Sequence, residues 1–358
     1  MEKLQPMNNL DYFVELDEMK VLEGGRLSGV YDAANGFRLK FNAGGERNAT
    51  VQNGIRLHLT SLVEPAPPAQ SSFVRLLRDK LDNAIVEKVE QANFDRIVQI
   101  SFAKKEKFRL VLEQFGKGNL ILTDGEGKII RPMRGEEFSS RKLRVGEKYA
   151  APPSAKLHPR ELDGKMLDEI SNSGGDKPGI VAILSSKINF PPFYLEEACA
   201  RAGIGFSAKV AQIEGKKLEQ LVSCIKSMAA GEGTSPCVFY SGGQPVAFSA
   251  FKMEKFAQYG FERKAFATFS DALDDYYRHG HETRAREEGS QKTCNELSKL
   301  AHSIDAQKEA IGKFEGEERE NRAAGEWIYE NYEKVERALE EARKKGEKIA
   351  VIDAEAIS

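Results

Sequence analysis

Cysteine is scarce, with four in 358 residues (Cys199, Cys224, Cys237 and Cys294), no CxxC pair and no histidine cluster beside any of them. That spacing argues against a zinc site or a disulfide scaffold and fits reduced thiols in a cytoplasmic protein. No apolar run approaches the roughly 20 residues that a membrane span requires. The opening "MEKLQPMNN" lacks the basic start and apolar stretch of a signal peptide, so no membrane association is expected. Motifs of catalysis are also missing: there is no GxSxG elbow, no GK[ST] phosphate loop and no HExxH helix. The five histidines are scattered, and His279 and His281, two apart near a helix end, read as surface residues. A binding protein is favoured over an enzyme, with no catalytic residue, metal or cofactor expected.

Charge of one sign is not in excess overall, since the formal net charge is −2, but its distribution is uneven. Arg96 to Lys148 holds thirteen Lys/Arg against seven Asp/Glu, whereas His281 to Gly346 holds thirteen against sixteen. The basic stretch reads either as a solvated sheet surface or as an electrostatic footprint for phosphates.

Periodicity organises the rest. A helix is expected from Asn9 through "LDYFVELDEM", followed by hairpin signals in "RLSGVYDAANGFRLKFNA" and strand-like runs in "ATVQNGIRLHLT". "SSFVRLLRDKL" reads as a helix capped by Ser71 or Ser72. "AIVEKVEQ", "DRIVQISF", "FRLVLEQF" and "NLILTDGEGKIIRPM" read as strands, the last a hairpin about Asp124-Gly125. Their links are too short for crossover helices, so the fold class is α+β and mostly antiparallel. Three short helices follow in "GIVAILSSKI", "FYLEEACARAGI" and "GKKLEQLVSCIKSMAAG", then a hairpin at Gly242-Gly243 and a helix in "FSDALDDYYRHG".

From His281 the composition is about half charged. Ile328, Tyr332, Val335, Leu339 and Ala342 form a coiled-coil seam, and Leu297, Leu300, Ile304, Ile311 and Phe314 a second. Gly312, Gly316 and Gly325 each weaken a helix by roughly 1 kcal/mol relative to alanine, so two helical pieces or a kink are expected. An apolar stripe of this kind needs a partner, and the chain reads as a piece of a longer protein or a candidate for self-association.

"NFDRIVQIS" sets a problem of its own. If a strand begins at Asp95, the period of two puts Arg96 in one row with Val98, Ile100 and Phe102, a guanidinium heading a core-facing file. "GKGNLILTD" places Lys117 between two glycines, either as an anion-binding turn or as a plain β-turn. "AGIG" at Ala202 to Gly205 is either a phosphate-facing hairpin turn or a glycine C-cap.

Several ordered stretches resemble one family. "FVRLLRDKLDNAIVEKVEQANFDRIVQISF", "LVLEQFGKGNLILTDGEGKIIRPMR", "VGEKYAAPP", "FSDALDDYY" and "AAGEWIYENYEKVERAL" are similar, in this order, to the NFACT ribosome-quality-control factors, often labelled fibronectin-binding-protein-A-like in bacteria. The resemblance implies an NFACT-N domain over 1–170, related in fold to the N-terminal domain of formamidopyrimidine-DNA glycosylases. A helix-hairpin-helix domain over 176–232 follows, then return strands and a helix over 236–277 and an incomplete coiled-coil arm over 281–346. It implies binding to the large ribosomal subunit stalled with peptidyl-tRNA and its nascent chain. The factor then recruits tRNA, in many members alanyl-tRNA, for template-free C-terminal tailing, with bond formation left to the ribosome. Carried over by position, Asp11, Asp95 and Arg96 are the tRNA-engaging residues. Arg78, Lys117, Asn119, Arg131 and Arg134 are candidates for nucleic-acid backbone contacts.

The chain departs from the family by carrying "MEKLQP" ahead of "MNNLDYF". The related glycosylase fold raises a second reading, a DNA glycosylase or lyase. In that family an N-terminal proline amine attacks the sugar and a glutamate follows it. Here Glu2 follows Met1 directly and Pro6 is not terminal, so the nucleophile is missing.

Overall fold

The computed structural model describes residues 4–33, 36–163, 166 and 179–346, without the side chains of 211, 258, 280–306 and 309. The chain divides into two compact units, 1–282 and 283–358. The expected boundary at 170–176 and the turn residues Ala34 and Asn35 lie outside the described residues.

The first unit opens with helix α1 (Asn9–Met19). Asn8 caps it, accepting from the N–H groups of Leu10 and Asp11, while the Asp11 carboxylate accepts from the Asn8 N–H. This reciprocal cap is worth about 1 kcal/mol. The helix buries Leu10, Tyr12, Val14, Leu16 and Met19, and with them the carboxyls of Asp11 and Glu15. Four strands follow: β1 (Arg26–Ala33), β2 (Gly36–Asn42), β3 (Glu46–Gln52) and β4 (Arg56–Thr60). Helix α2 (Ser72–Leu81) is capped by the Ser71 hydroxyl, which accepts from Val74 N–H. Its Phe73, Val74, Leu77 and Leu81 form the buried face. Five more strands complete the sheet: β5 (Ile85–Gln91), β6 (Ile97–Ala103), β7 (Lys107–Glu113), β8 (Asn119–Asp124) and β9 (Ile129–Pro132).

These nine strands make one antiparallel sheet in the order β4-β3-β2-β1-β5-β6-β7-β8-β9, two meanders joined where Arg26 pairs with Ile85. Two glycines bring distant turns together. A Cβ on Gly118 would lie 2.3 Å from the Gly54 nitrogen, so the β3–β4 turn crosses the β7–β8 turn at backbone contact. The Gly54 N–H also donates to Gln114 Oε1 at 2.8 Å. A two-stranded ribbon of β10 (Glu136–Glu137) and β11 (Lys142–Leu143) covers a second, smaller core of Ile97, Val111, Ile121, Ile129 and Leu143.

Three short helices follow: α3 (Ile180–Lys187), α4 (Pro192–Arg201) and α5 (Gly215–Ala229). Strands β12 (Thr234–Ser241), β13 (Gln244–Phe251) and β14 (Glu262–Ala265) form a separate antiparallel sheet ordered β13-β12-β14. The strand β14 was not expected; its four residues are all exposed and show no apolar alternation. Helix α6 (Phe269–Glu330) starts in this unit, where Phe269, Ala272, Leu273, Tyr276 and Tyr277 are buried. Glu18 caps it, accepting from the N–H of Phe269 at 2.5 Å and of Ser270 at 3.0 Å.

In the second unit α6 continues and gives way to α7 (Tyr332–Lys345). Two helical pieces were expected, but the break falls at Asn331 (φ −109°, ψ 27°), not at the glycines, all of which lie within α6. Ile311, Phe314, Ile328, Tyr332 and Leu339 are exposed along these helices. Of the other seam positions, Val335 is half-buried and Ala342 buried, and Leu297, Leu300 and Ile304 have no described side chains. Among the described residues no helix is long and apolar enough to cross a membrane.

Candidate functional site

The strand β6 starts at Ile97, not at Asp95. Arg96 therefore does not head the core-facing row that a strand from Asp95 would require; it sits half-buried in the turn that feeds the strand. The reason lies in the preceding residues. Asn93 and Phe94 both adopt left-handed backbone, with φ of 53° and 51°. A β-carbon in that region costs roughly 1–2 kcal/mol per residue. The turn closes with Asp95 N–H donating to Ala92 O at 2.9 Å, and the Asp95 carboxylate accepts from Arg96 N–H at 2.7 Å. Among the described residues the Arg96 guanidinium has no hydrogen bond or ion pair.

Three carboxamides surround the turn. Asn9 donates Nδ2 to Phe94 O at 3.1 Å and to Asn189 O at 2.7 Å. Asn189 donates Nδ2 to Phe94 O at 3.0 Å and Asn93 O at 3.2 Å. Gln91 donates Nε2 to Asn9 O at 2.7 Å and Asp95 O at 2.8 Å. The Phe94 ring is buried against Phe13 (centroids 5.5 Å apart) and His158 (5.0 Å). Beside it runs a groove of about 580 Å³ that Phe13, His158, Arg160, Lys20 and Lys88 help to line. Sequence reasoning missed Asn9, Gln91 and Asn189, because their partners lie up to 180 residues away and nothing local marks them.

Asp11 is fully buried. Its carboxylate accepts from Asn8 N–H at 2.8 Å and from the Tyr194 hydroxyl at 2.6 Å. Burial pushes its pKa up to about 7, with those two donors pulling the other way. No part of Asp11 is open to a ligand, so it supports the site from behind. The neighbouring Tyr12 hydroxyl is buried without a hydrogen-bond partner among the described residues. Burial raises its pKa, and the charge of Arg96 opposes that rise, which places the guanidinium within electrostatic reach.

The structure gathers some of the remaining candidates at the same end of the sheet. Gln114 N–H donates to Arg96 O at 2.8 Å, and the turn after it carries exposed Lys117. Arg134 donates to Lys117 O at 2.9 Å and also to Gly118 O. Asn119 is buried, and both ends of its carboxamide are used on the backbone of Arg134, at 2.9 and 3.1 Å. It shapes the Lys117 turn and has no free edge for a phosphate. Arg78, on α2, and Arg131, on β9 beside the start of α2, lie elsewhere. Arg78 donates Nε to Val30 O at 2.6 Å and stands 4.8 Å from the Tyr31 ring centroid, whereas exposed Arg131 reaches only Ser72 Oγ at 3.2 Å.

The "AGIG" turn is a helix C-cap. Gly203 takes the left-handed conformation (φ 63°), and Ile204 N–H closes onto Cys199 O at 2.9 Å. Among the described residues no cluster of His, Cys, Asp and Glu could hold a metal ion.

A family model described as the NFACT N-terminal and middle domains matches residues 14–353. The archaeal Rqc2 homolog aRqcH of Methanocaldococcus jannaschii is 28% identical over 360 residues, which cover 96% of this chain and 53% of that protein. The ribosome quality control complex subunit NEMF of Mus musculus is 23% identical over 354 residues, covering 90% of this chain and 32% of that one. The chain thus spans about half, or less, of the length of these relatives. Among solved structures, the fibrinogen binding protein from Staphylococcus aureus is similar with a TM-score of 0.62 and 21% identity, covering 75% of this chain and 98% of that one. The N-terminal part of the fibronectin/fibrinogen-binding protein from Streptococcus suis gives 0.60 and 20%, covering 76% and 99%. At such identities these two likenesses speak for the fold alone. With the family model matched along nearly its whole length, the chain belongs to the NFACT family.

Proposed function

We propose that this chain is the tRNA-engaging portion of a cytoplasmic ribosome-quality-control factor. It binds large ribosomal subunits that hold peptidyl-tRNA and positions an incoming tRNA, alanyl-tRNA in the first instance, for template-free extension of the nascent chain. The observation that carries this reading is Arg96: a half-buried guanidinium, without an internal partner among the described residues, presented by a strained turn. A guanidinium held this way can pair with a phosphate or stack on an unpaired base. Asp95 fixes the protein backbone beside it; exposed Lys117 at the same end of the sheet, and Arg131 farther off beside α2, are candidates for contacts to the nucleic-acid backbone. The names of the relatives, an archaeal Rqc2 homolog and a mouse ribosome quality control complex subunit, support the ribosomal setting.

On this reading residues 1–170 form the NFACT-N domain, and 176–232 the helix-hairpin-helix domain. Residues 236–277 return to pack on the first domain. Residues 281–346 begin a coiled-coil arm, whose exposed stripe also makes it a candidate for self-association. The protein works by binding and positioning, and the ribosome makes the peptide bond. Fluorescence anisotropy with tRNA tests this: binding should weaken steeply between 50 and 200 mM salt, as counterion release from phosphates demands. A salt-independent complex would count against the basic stretch Arg96 to Lys148 as the contact surface. Borohydride trapping on abasic DNA tests the lyase alternative, and a covalent adduct would reinstate it.

A further inference from the structure

We infer that Asn189 is a positioning residue, which holds the Asn93–Phe94 turn in its left-handed form and thereby aims the Asp95–Arg96 pair. The inference rests on the reading that Arg96 contacts tRNA. Two consecutive non-glycine residues at positive φ are unstable on their own and persist only where surroundings over-determine them. Here the fixing groups are few and identifiable. The Phe94 carbonyl accepts from Asn189 at 3.0 Å and from Asn9 at 3.1 Å, and the Asn93 carbonyl accepts from Asn189 at 3.2 Å. One carboxamide thus grips the carbonyls of both strained residues.

Asn189 is itself held in register by the chain around it. Its N–H donates to Leu157 O at 2.8 Å, and Leu157 N–H donates to Lys187 O at 2.9 Å, forming a short parallel bridge between Leu157 and Ile188. The residue after Leu157 is His158, whose ring packs edge-on against Phe94 at 5.0 Å. The α3–α4 loop therefore reaches the turn by polar contact through Asn189, and the segment it bridges to reaches it by ring contact through His158. Asn9 ties Asn189 to the turn, since its Nδ2 donates to Asn189 O at 2.7 Å as well as to Phe94 O. Any shift of the short-helix segment against the sheet alters the grip on Asn93 and Phe94. The orientation of Arg96, two residues on, shifts with it. The helical segment is thereby coupled to the candidate tRNA contact without touching the ligand.

A residue that only glued two segments together would affect stability and nothing else, so the test uses rescue. Glycine adopts positive φ without a β-carbon penalty, so a turn with glycine at 93 needs less clamping. Asn189→Ala should weaken tRNA binding about tenfold, as expected if the binding-competent turn falls to a minor population. It should also speed amide hydrogen exchange at residues 94–96 in the folded protein. Adding Asn93→Gly to Asn189→Ala should recover most of the affinity, while Asn93→Gly alone stays close to wild type. Arg96→Ala is measured alongside. If Arg96→Ala loses affinity while folded Asn189→Ala keeps wild-type affinity and exchange, the positioning role is wrong and the tRNA reading stands. If Asn189→Ala weakens binding and Asn93→Gly recovers none of it, the positioning role is also wrong. If Arg96→Ala keeps full affinity, the tRNA reading fails, and exchange at 94–96 alone decides whether Asn189 holds the turn.

Discussion

Tyr194 donates its hydroxyl to Asp11 across 2.6 Å, tying helix α4 to the first helix of the chain. Both groups are fully buried, and burial raises the pKa of each. The carboxyl inferred from family position to be a ligand contact is therefore an internal fastener, and its titration is a property of the fold.

That titration has a predictable sign. The folded-state pKa of Asp11 is about 7 against an ordinary 3.8. A carboxyl raised on folding contributes stability fully below its unfolded pKa and loses it as pH rises through the folded value. Unfolding free energy should therefore fall between pH 4 and pH 7, by on the order of 4 kcal/mol from this group. Glu15, one turn along the helix and also pushed well above its usual range by burial, works in the same direction. Asp11→Asn should flatten the urea-denaturation profile across that window.

A second prediction concerns the smaller core. Arg141 pairs with Glu113 through both terminal guanidinium nitrogens, Nη2 at 2.9 Å, and Tyr149 donates to Glu113 at 2.9 Å. Both charges are buried. Arg141→Met strands the carboxylate and should cost about 3–5 kcal/mol, whereas Tyr149→Phe should cost about 1 kcal/mol. Chemical denaturation at neutral pH distinguishes the two.

The crossing of the two turns is equally specific. Gly116 and Gly118 both have positive φ, but a Cβ on Gly116 meets nothing within 4 Å and one on Gly118 meets backbone. Gly118→Ala should cost about 2–4 kcal/mol, combining strain with overpacking, and Gly116→Ala only about 1 kcal/mol. Thermal melts of the two variants check the contrast.

Lys117 stands exposed on that turn. Lys117→Ala should leave the melting temperature unchanged and lower the slope of log affinity for tRNA against log salt by about 1, the signature of one lost phosphate contact. The slope is read from anisotropy titrations at several salt concentrations.

Much of this architecture was legible in residue order. The Ser71 cap, the Asp124 and Gly242-Gly243 hairpins and the antiparallel meander follow from local turn chemistry and period-two alternation, which need only neighbours in sequence. The site was legible only in part. The local Asn8 cap does not signal that Asp11 is buried, because Tyr194, which donates to its other oxygen, lies 183 residues away. The position of Arg96 turned on whether the strand starts at 95 or 97, and that is decided by two left-handed residues and by carboxamides from Asn9 and Asn189. Glycine would have advertised such a turn; asparagine and phenylalanine do not.

The most direct test of the central claim is tRNA affinity of Arg96→Ala against wild type, at fixed salt and with matched thermal midpoints. Because the guanidinium has no internal partner among the described residues, its loss should leave the fold intact. Affinity should then fall about tenfold or more, the scale of a lost charge-assisted contact. Unchanged affinity at matched stability would contradict the account.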